Sequence, residues 1–195
     1  MSVFVPADYF RELRREEIFP DFSRPLEIDL GSGDGTFLVE MARQHPERDF
    51  LGVERLGGRV LKTAKKIKRA GLQNARVLQL ESAYTVGWLL PALSISRLHL
   101  LCPDPWPKKR HHKNRLVNNV EFLNGLERIL VPGGEFLLKT DHEDFFHNAI
   151  ESLSQRSAFE RLDWPDDAFF YPQTDFEKHW LSQGLSIYRA QWRRA

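Results

Sequence analysis

Residues 25–45, PLEIDLGSGDGTFLVEMARQH, carry the signal from which the architecture of this chain follows. Residues 25–30 are a short apolar strand candidate, and the glycine-rich turn GSGDG (31–35) comes directly after it. Apolar residues then recur at helical spacing, which predicts a helix over residues 36–45. A strand, a glycine-rich turn and a helix in this order are typical of a nucleotide-binding α/β unit, because glycines let the backbone approach the ligand closely.

The alternation of strand and helix continues along the chain. It predicts a mostly parallel sheet of seven strands with helices on both faces and an antiparallel last strand. A short helix is expected near residues 86–90, and the sequence VPGG (131–134) predicts a turn. The remaining predicted strands are 49–54, 75–80, 97–101, 135–140, 159–162 and 185–192, and the remaining predicted helices are 7–17, 59–69, 115–130, 141–155 and 174–183.

Length and composition favour one globular domain, residues 1–195, in which an N-terminal segment (1–24) precedes the first strand. No apolar run approaches the roughly 20 residues that span a bilayer, and the N-terminus lacks the pattern of a secretory signal. We therefore expect a cytoplasmic protein without a membrane partner. The single cysteine, Cys102, excludes an internal disulfide and a zinc site made of cysteines alone.

The net charge is only +1, but the basic residues are clustered. Residues 55–69 hold seven lysines and arginines and no acid, and residues 106–115 hold five and no acid. Such segregation predicts a surface that faces a polyanion in a protein of near-neutral charge.

The glycine-rich turn indicates which nucleotide cofactor is bound. A dinucleotide fingerprint would have a third glycine where Thr36 stands, so Gly31 and Gly33, with Glu27 upstream, instead suggest S-adenosylmethionine. Two further acids end the following strands. Glu54 is placed to accept the ribose hydroxyls and Glu81 to lie beside the adenine. The predicted architecture is therefore a Rossmann-like class I methyltransferase fold.

The loop after the fourth strand carries a specific resemblance. Residues 103–113, PDPWPKKRHHK, match over eleven consecutive positions the pattern of the bacterial tRNA (guanine-N7-)-methyltransferases, and the chain resembles that family from about Glu27 to Trp192. Further matching elements are Thr140-Asp141 and Thr174-Asp175-Phe176-Glu177, followed by Gly184 and Ile187. The chain departs from the family pattern at Asp29, where glycine is usual, at Cys102, where an aromatic residue is usual, and at Asn114, which is often arginine.

The resemblance implies transfer of a methyl group from S-adenosylmethionine to N7 of a guanine in the tRNA variable loop, guanine 46 by family expectation, with S-adenosylhomocysteine as product. It implies tRNA as the partner, no obligatory protein partner, and a monomer or homodimer. The implied catalytic residue is Asp104, which also faces the cofactor. The implied substrate-binding residues are Lys108, Asp141, Thr174, Asp175, Phe176 and Glu177.

The chemistry of these residues agrees with that reaction. Guanine N7 is an unprotonated acceptor at a base edge, so its methylation needs no base and no cysteine nucleophile. The product ring is positively charged, and carboxylates from Asp104, Asp141 and Glu177 can stabilise that charge and accept hydrogen bonds from guanine N1 and N2. No metal is expected, since His111 and His112 are adjacent and lack a matching third ligand.

Other interpretations stay open at this point. Thr174 and Glu177 also form a capping-box pattern, Asp141 can be a helix N-cap, and Trp106 can be a packing element. Asp104-Pro105-Trp106 is also related to the loop of methyltransferases that act on exocyclic amino groups. A non-catalytic RNA-binding module with the same fold is the alternative from a different functional class.

Overall fold

The computed structural model describes residues 2–165 and 168–195, and within the last helix it leaves out the side chains of Asp175 and Phe176. One sheet runs through the described residues. Its strands are β1 (Val3–Phe4), β2 (Leu26–Leu30), β3 (Asp49–Glu54), β4 (Ala75–Gln79), β5 (Ile95–Leu101), β6 (Leu130–Thr140), β7 (Phe159–Leu162) and β8 (Tyr188–Arg194).

Helices connect most of these strands. They are α1 (Arg15–Ile18), α2 (Thr36–Gln44), α3 (Gly57–Arg69), α4 (Ser82–Tyr84), α5 (Val120–Ile129), α6 (Glu143–Ser154) and α7 (Asp175–Ser182). A π-helical turn, Thr85–Leu89, continues α4, and two 3₁₀ turns, Lys109–Asn114 and Leu116–Asn118, precede α5.

The strand order across the sheet is β1-β4-β3-β2-β5-β6-β8-β7. All neighbours are parallel except β8, which runs antiparallel to both β6 and β7. The predicted fold class is confirmed, but the described strands number eight rather than seven. The additional strand is β1, whose two residues pair with β4 at the sheet edge. The order reverses between β2 and β5, and ligands bind beyond the carboxyl ends of strands at such a switch point.

Three predicted elements differ from the structure for identifiable reasons. The helix expected over residues 7–17 is reduced to α1, because the amide of Leu13 donates to the carbonyl of Leu89 instead of continuing a helix. The helix expected over residues 115–130 begins at Val120, since Asn119 caps it by accepting from the amide of Phe122. The expected turn 131–134 is a bulge inside β6, where the pairing jumps from Ile95–Leu130 to Arg97–Glu135.

The two faces of the sheet are packed differently. One face carries the larger apolar cluster, in which strand residues such as Ile28, Leu98 and Phe136 pack under α5 and α6. The other face has a smaller apolar cluster under α2 and α3, built around Phe37 and Phe50. No helix in the described part of the chain is long and apolar enough to cross a membrane.

Candidate active site

The glycine-rich turn lies at the carboxyl end of β2. Gly31 and Gly33 have φ values of +77° and +57°, which other residues rarely adopt. The amides of Gly31 and Ser32 donate to the carbonyl of Val53 at 2.8 and 3.0 Å, so the turn is fixed to β3. Among the described residues, no atom lies within 4 Å of a Cβ built at Gly31, and a Cβ built at Gly33 would meet only a carbonyl, at 3.9 Å. The turn therefore borders open space at the switch point.

Glu54, at the end of β3, is 5% exposed and links the glycine-rich turn to the residues that follow β3. Its Oε2 accepts from the amide of Gly33 at 3.1 Å and its Oε1 from the amide of Leu56 at 2.8 Å. Glu81, at the end of β4, is exposed and caps α4 by accepting from the amides of Ala83 and Tyr84 at 2.8 and 2.7 Å. Both acids thus lie at the carboxyl edge, and Glu54 is in contact with the glycine-rich turn.

Glu27 lies deeper, inside β2, and is fully buried. Its carboxylate is 2.8 Å from Nε2 of His99 and 2.8 Å from a guanidinium nitrogen of Arg48. Burial alone would raise its pKa, but the hydrogen bond to His99 and its charge, followed by the charges of Arg97 and Arg48, lower the pKa to about 2. Burial lowers the pKa of His99, whose Nδ1 lies 2.7 Å from the hydroxyl of Tyr171, so both ring nitrogens have a hydrogen-bond partner. Both carboxylate oxygens of Glu27 are therefore engaged within the fold.

The loop that follows β5 is bent at both ends of the Pro103–Pro105 segment. Cys102 and Trp106 both have a φ of +46°, a conformation that costs a non-glycine residue about 1–2 kcal/mol. Between them Asp104 is exposed at the carboxyl edge, and Lys108 is exposed further along. Strained backbone of this kind persists only where the surrounding structure holds it in place, and it is found most often at functional sites.

Arg115 is buried under this loop, with only 1% of its surface exposed, and holds the loop in place. Its Nε donates to the carbonyl of Pro105 at 2.8 Å, its Nη2 to Asp144 at 2.6 Å, and its Nη1 to Asn148 at 3.2 Å. Arg115 was expected on the surface as part of the basic residues 106–115, and that prediction is wrong. No local signal identified its burial, because its side-chain partners lie on α6, about 30 residues away.

Substrate-side residues gather at the ends of β6 and α7. Asp141 follows Thr140 directly, and the N-cap of α6 is His142 rather than Asp141, so no capping role engages the Asp141 carboxylate. Thr174 caps α7 by accepting from the amide of Glu177 at 3.0 Å. The other half of a capping box is replaced, since the buried Glu177 carboxylate binds Lys139 at 2.8 Å. The side chains of Asp175 and Phe176 lie outside the described part.

Cys102 lies among these acids and is chemically inert. Burial, together with the negative charges of Asp141 and Glu177, raises the pKa of its thiol to about 12. The thiol is therefore neutral, and a thiolate nucleophile is absent at this position. Its proximity to Asp141 and Glu177 shows that β5, β6 and α7 bring their polar ends to one place.

Basic residues are exposed on α3 and in the loop after β5. On α3, Lys62, Lys65, Lys68 and Arg69 are exposed, whereas Lys66 pairs with Asp34 in the glycine-rich turn. A groove of about 270 Å³ between α2 and α3 is lined by Arg43, Lys66 and Arg69, among others. In the loop after β5, the basic residues that precede Arg115 are exposed, namely Lys108, Lys109, Arg110 and Lys113. Among the described residues, no three histidine, cysteine, aspartate or glutamate side chains are grouped closely enough to hold a metal.

Known proteins match this chain over most of its length. Residues 23–190 match a protein-family model described as "Putative methyltransferase". A tRNA (guanine-N(7)-)-methyltransferase of Syntrophotalea carbinolica is 37% identical over 173 residues, which are 87% of this chain and 74% of the relative. One of Geobacillus thermodenitrificans is 34% identical over 191 residues, which are 96% of this chain and 87% of the relative. The chain belongs to the tRNA (guanine-N7-)-methyltransferase family.

Solved structures agree on the fold. The crystal structure of the 16S rRNA methyltransferase KamB has a TM-score of 0.65 at 19% identity and covers 95% of both chains. Identity at this level bears on the architecture alone. The predicted family, the methyltransferase activity and the Rossmann-like class I fold are confirmed. The roles of individual residues remain predictions that rest on the geometry described above.

Proposed function

We propose that this chain, as one domain in the cytoplasm, methylates N7 of a guanine in the variable loop of tRNA, guanine 46 by family expectation, and uses S-adenosylmethionine. One observation carries the proposal. The strand order places Glu81, Glu54, the glycine-rich turn, Asp104 and Asp141 in one row along the carboxyl edge of β4, β3, β2, β5 and β6. The first half of this row suits a nucleoside cofactor, and the second half suits a base that becomes positively charged.

The residues present fit S-adenosylmethionine. Open space next to Gly31 and Gly33 gives the backbone room for close approach to a ligand. Glu54 retains acceptor capacity for ribose hydroxyls beyond its two amide bonds, and Glu81 is exposed beside the place where the adenine would lie. Glu27 supports the turn from within the sheet. When bound, this cofactor supplies a methyl group on a positively charged sulfur, and S-adenosylhomocysteine remains after transfer.

The protein's part in the reaction is to hold and stabilise the guanine. Carboxylates of Asp104 and Asp141 accept hydrogen bonds from guanine N1 and N2, and their charge stabilises the methylated ring. Asp104 is the central residue because it is exposed in a backbone segment that Arg115 holds rigidly. Glu177, with its charge shared by Lys139, completes the acidic rim. No general base is needed, since N7 carries no proton, and no metal takes part.

Contacts with the tRNA backbone come from the two basic surfaces. The exposed basic residues of α3 and of the loop after β5 carry the charge that can hold phosphates while a base enters the site. Lys108 is the first basic residue after Asp104 in the sequence, and we assign it to phosphate contact beside the target nucleotide. No protein partner is required, and the chain acts as a monomer or a homodimer.

The test uses an unmodified tRNA transcript, the purified chain and methyl-labelled S-adenosylmethionine, with 7-methylguanine mapped by borohydride and aniline cleavage. We expect one cleavage in the variable loop, and a loss of kcat of about 100-fold or more in Asp104→Ala and Asp104→Asn. Glu151→Gln, an exposed position on α6, is the matched control and should keep full activity. tRNA affinity should fall steeply as salt is raised.

Other outcomes would replace the proposal. Methyl incorporation without 7-methylguanine would indicate transfer to an exocyclic amino group. Cofactor binding without any incorporation would indicate an RNA-binding module. If the affinity for tRNA does not change with salt, the two basic surfaces do not bind the tRNA backbone.

A further inference from the structure

Asp29 has a buried carboxyl group that takes no part in any of the roles described so far. It lies in β2, one residue before the strand end, and is 3% exposed. Its register partners are Gly52 on β3 and His99 on β5, at the switch point of the sheet. Among the described residues its Oδ2 has no hydrogen-bond partner. A buried carboxylate oxygen without a donor is costly, so it indicates a missing group.

The charges around Asp29 show what kind of group is missing. The negative charges of Glu54 on β3 and Asp34 in the glycine-rich turn act on it, and its own charge acts on the hydroxyl of Tyr171. His99 is its register partner on β5. Burial, followed by the charges of Glu54 and Asp34, raises the pKa of Asp29 to about 7. Each neighbouring acid forms an ion pair. Lys66 pairs with Asp34, and Arg48 pairs with Glu27. A guanidinium nitrogen of Arg59 lies 3.8 Å from the carboxylate of Glu54. Within the described residues no cation lies within ion-pair distance of Asp29.

We propose that Asp29 binds the α-ammonium group of the cofactor's methionine moiety and thereby adds a site for the amino-acid end that a glycine at this position cannot provide. The inference rests on the proposed function, because it assumes S-adenosylmethionine in the row along the carboxyl edge. Adenine and ribose take the Glu81 and Glu54 end of that row, and the methyl group must face Asp104. The amino-acid end is then left to β2, where a cation would satisfy Asp29.

The observation favours an ammonium over the cofactor's other cationic centre. The sulfonium has no hydrogen to donate, whereas an ammonium has three and can satisfy Oδ2 as both donor and charge. The two possibilities also differ in S-adenosylhomocysteine, which keeps the ammonium but has an uncharged sulfur. A comparison of ligands therefore identifies the partner of Asp29 without any measurement of methyl transfer.

The experiment is calorimetric titration of the wild-type chain and Asp29→Asn with S-adenosylhomocysteine and with 5′-methylthioadenosine, which lacks the amino-acid end. We expect the Kd of S-adenosylhomocysteine to rise about 10- to 100-fold in Asp29→Asn, and the Kd of 5′-methylthioadenosine to change less than about twofold. Titrations at pH 7 in two buffers of different ionisation enthalpy should also show proton release in wild type, because the ammonium favours the charged carboxylate. That release should be lost in Asp29→Asn.

Several results would overturn the proposal. Equal weakening of both ligands, or of neither, would make Asp29 structural only. A third titration, with S-adenosylmethionine, tests the other cationic centre, because a rise in Kd for this ligand and not for S-adenosylhomocysteine in Asp29→Asn would assign Asp29 to the sulfonium. Asp29→Gly, which restores the residue usual in the family, is the second variant if Asp29→Asn fails to fold, and the same ratio is expected. If the wild-type chain binds no S-adenosylhomocysteine, the proposed function itself fails. If the wild-type chain binds it and Asp29→Asn binds it equally well, only the inference about Asp29 fails.

Discussion

The two faces of the sheet are both covered, yet one carries the larger apolar cluster and the other combines a small apolar cluster with buried charged groups. Along β2, β5 and β6 the residues alternate, so that Ile28, Leu98 and Phe136 point to one face and Glu27 and Arg97 to the other. Parallel strands covered on both sides are usually continuous apolar runs. The apolar face is therefore a conventional core, and the charged face is a departure from the usual composition that needs a separate explanation.

The covering of the charged face supplies that explanation. Half of it lies under α2 and α3, and the other half lies under aromatic residues of the segment that leads to α7. Lys139 Nζ is 4.8 Å from the ring centre of Tyr171, and the Arg97 guanidinium is 4.6 Å from that of Phe169. Charges and rings thus fix residues 168–174, which form no helix or strand, and these residues in turn set the position of Thr174 and Glu177. The apolar face contributes stability, and the charged face positions the site.

Phe136→Ala tests the apolar face and should have the largest effect on stability. Phe136 is fully buried and packs on Trp192 with ring centroids 5.4 Å apart. We expect the free energy of unfolding to fall by about 3–5 kcal/mol, measured by urea denaturation. Val120→Ala, at a position that is 62% exposed, is the control and should change it by less than about 0.5 kcal/mol. A loss below about 1 kcal/mol in Phe136→Ala would contradict the division between the faces.

Glu27→Gln tests the charged face and should cost less, about 2 kcal/mol at neutral pH, because hydrogen bonds to a charged group are lost. Since the folded-state pKa of Glu27 is lowered to about 2, its contribution is present above the ordinary glutamate pKa and is lost as the pH falls towards 2. Unfolding curves between pH 7 and 2 should therefore show wild type and variant converging at low pH. Parallel curves would show that the carboxylate's charge is not what stabilises this face.

Tyr171→Phe should have the smallest effect on stability, about 1 kcal/mol, because it leaves Nδ1 of the buried His99 without its hydrogen-bond partner. Its specific consequence is local. Amide hydrogen exchange should become faster in the segment before α7, whereas exchange in α5 should stay unchanged. Uniformly faster exchange throughout the chain would mean that Tyr171 is an ordinary core residue and that the charged face does not fix this segment.

Local patterns in the sequence were enough for most elements. The strands 49–54 and 159–162 have the predicted bounds, and the glycine-rich turn lies where the strand-turn-helix pattern placed it. The eleven-residue match at 103–113 identified the family, a prediction that the similarity to known methyltransferases confirms. Such features are visible because each depends on residues that are close together in the chain.

Long-range pairing was beyond local patterns. The burial of Arg115, the His99–Glu27 bond across 72 residues and the Lys139–Glu177 pair each depend on the relative placement of separate elements. The N-terminal helix expected over residues 7–17 fails for the same reason, since Leu13 bonds to Leu89. Propensity describes a segment in isolation, and tertiary contacts override it.

The sequence by itself determined the strand-helix alternation, the glycine-rich turn, the acids at strand ends and the family, because these depend on composition and short spacing. Only the tertiary structure decided which charges are free and which are engaged. Glu27 and Glu177 are held by His99 and Lys139, whereas an oxygen of Asp29 has no partner in the part of the chain that the structure describes. The physical reason is that the state of a charge depends on its burial and on the neighbours that folding brings to it, and both arise from residues far apart in the chain.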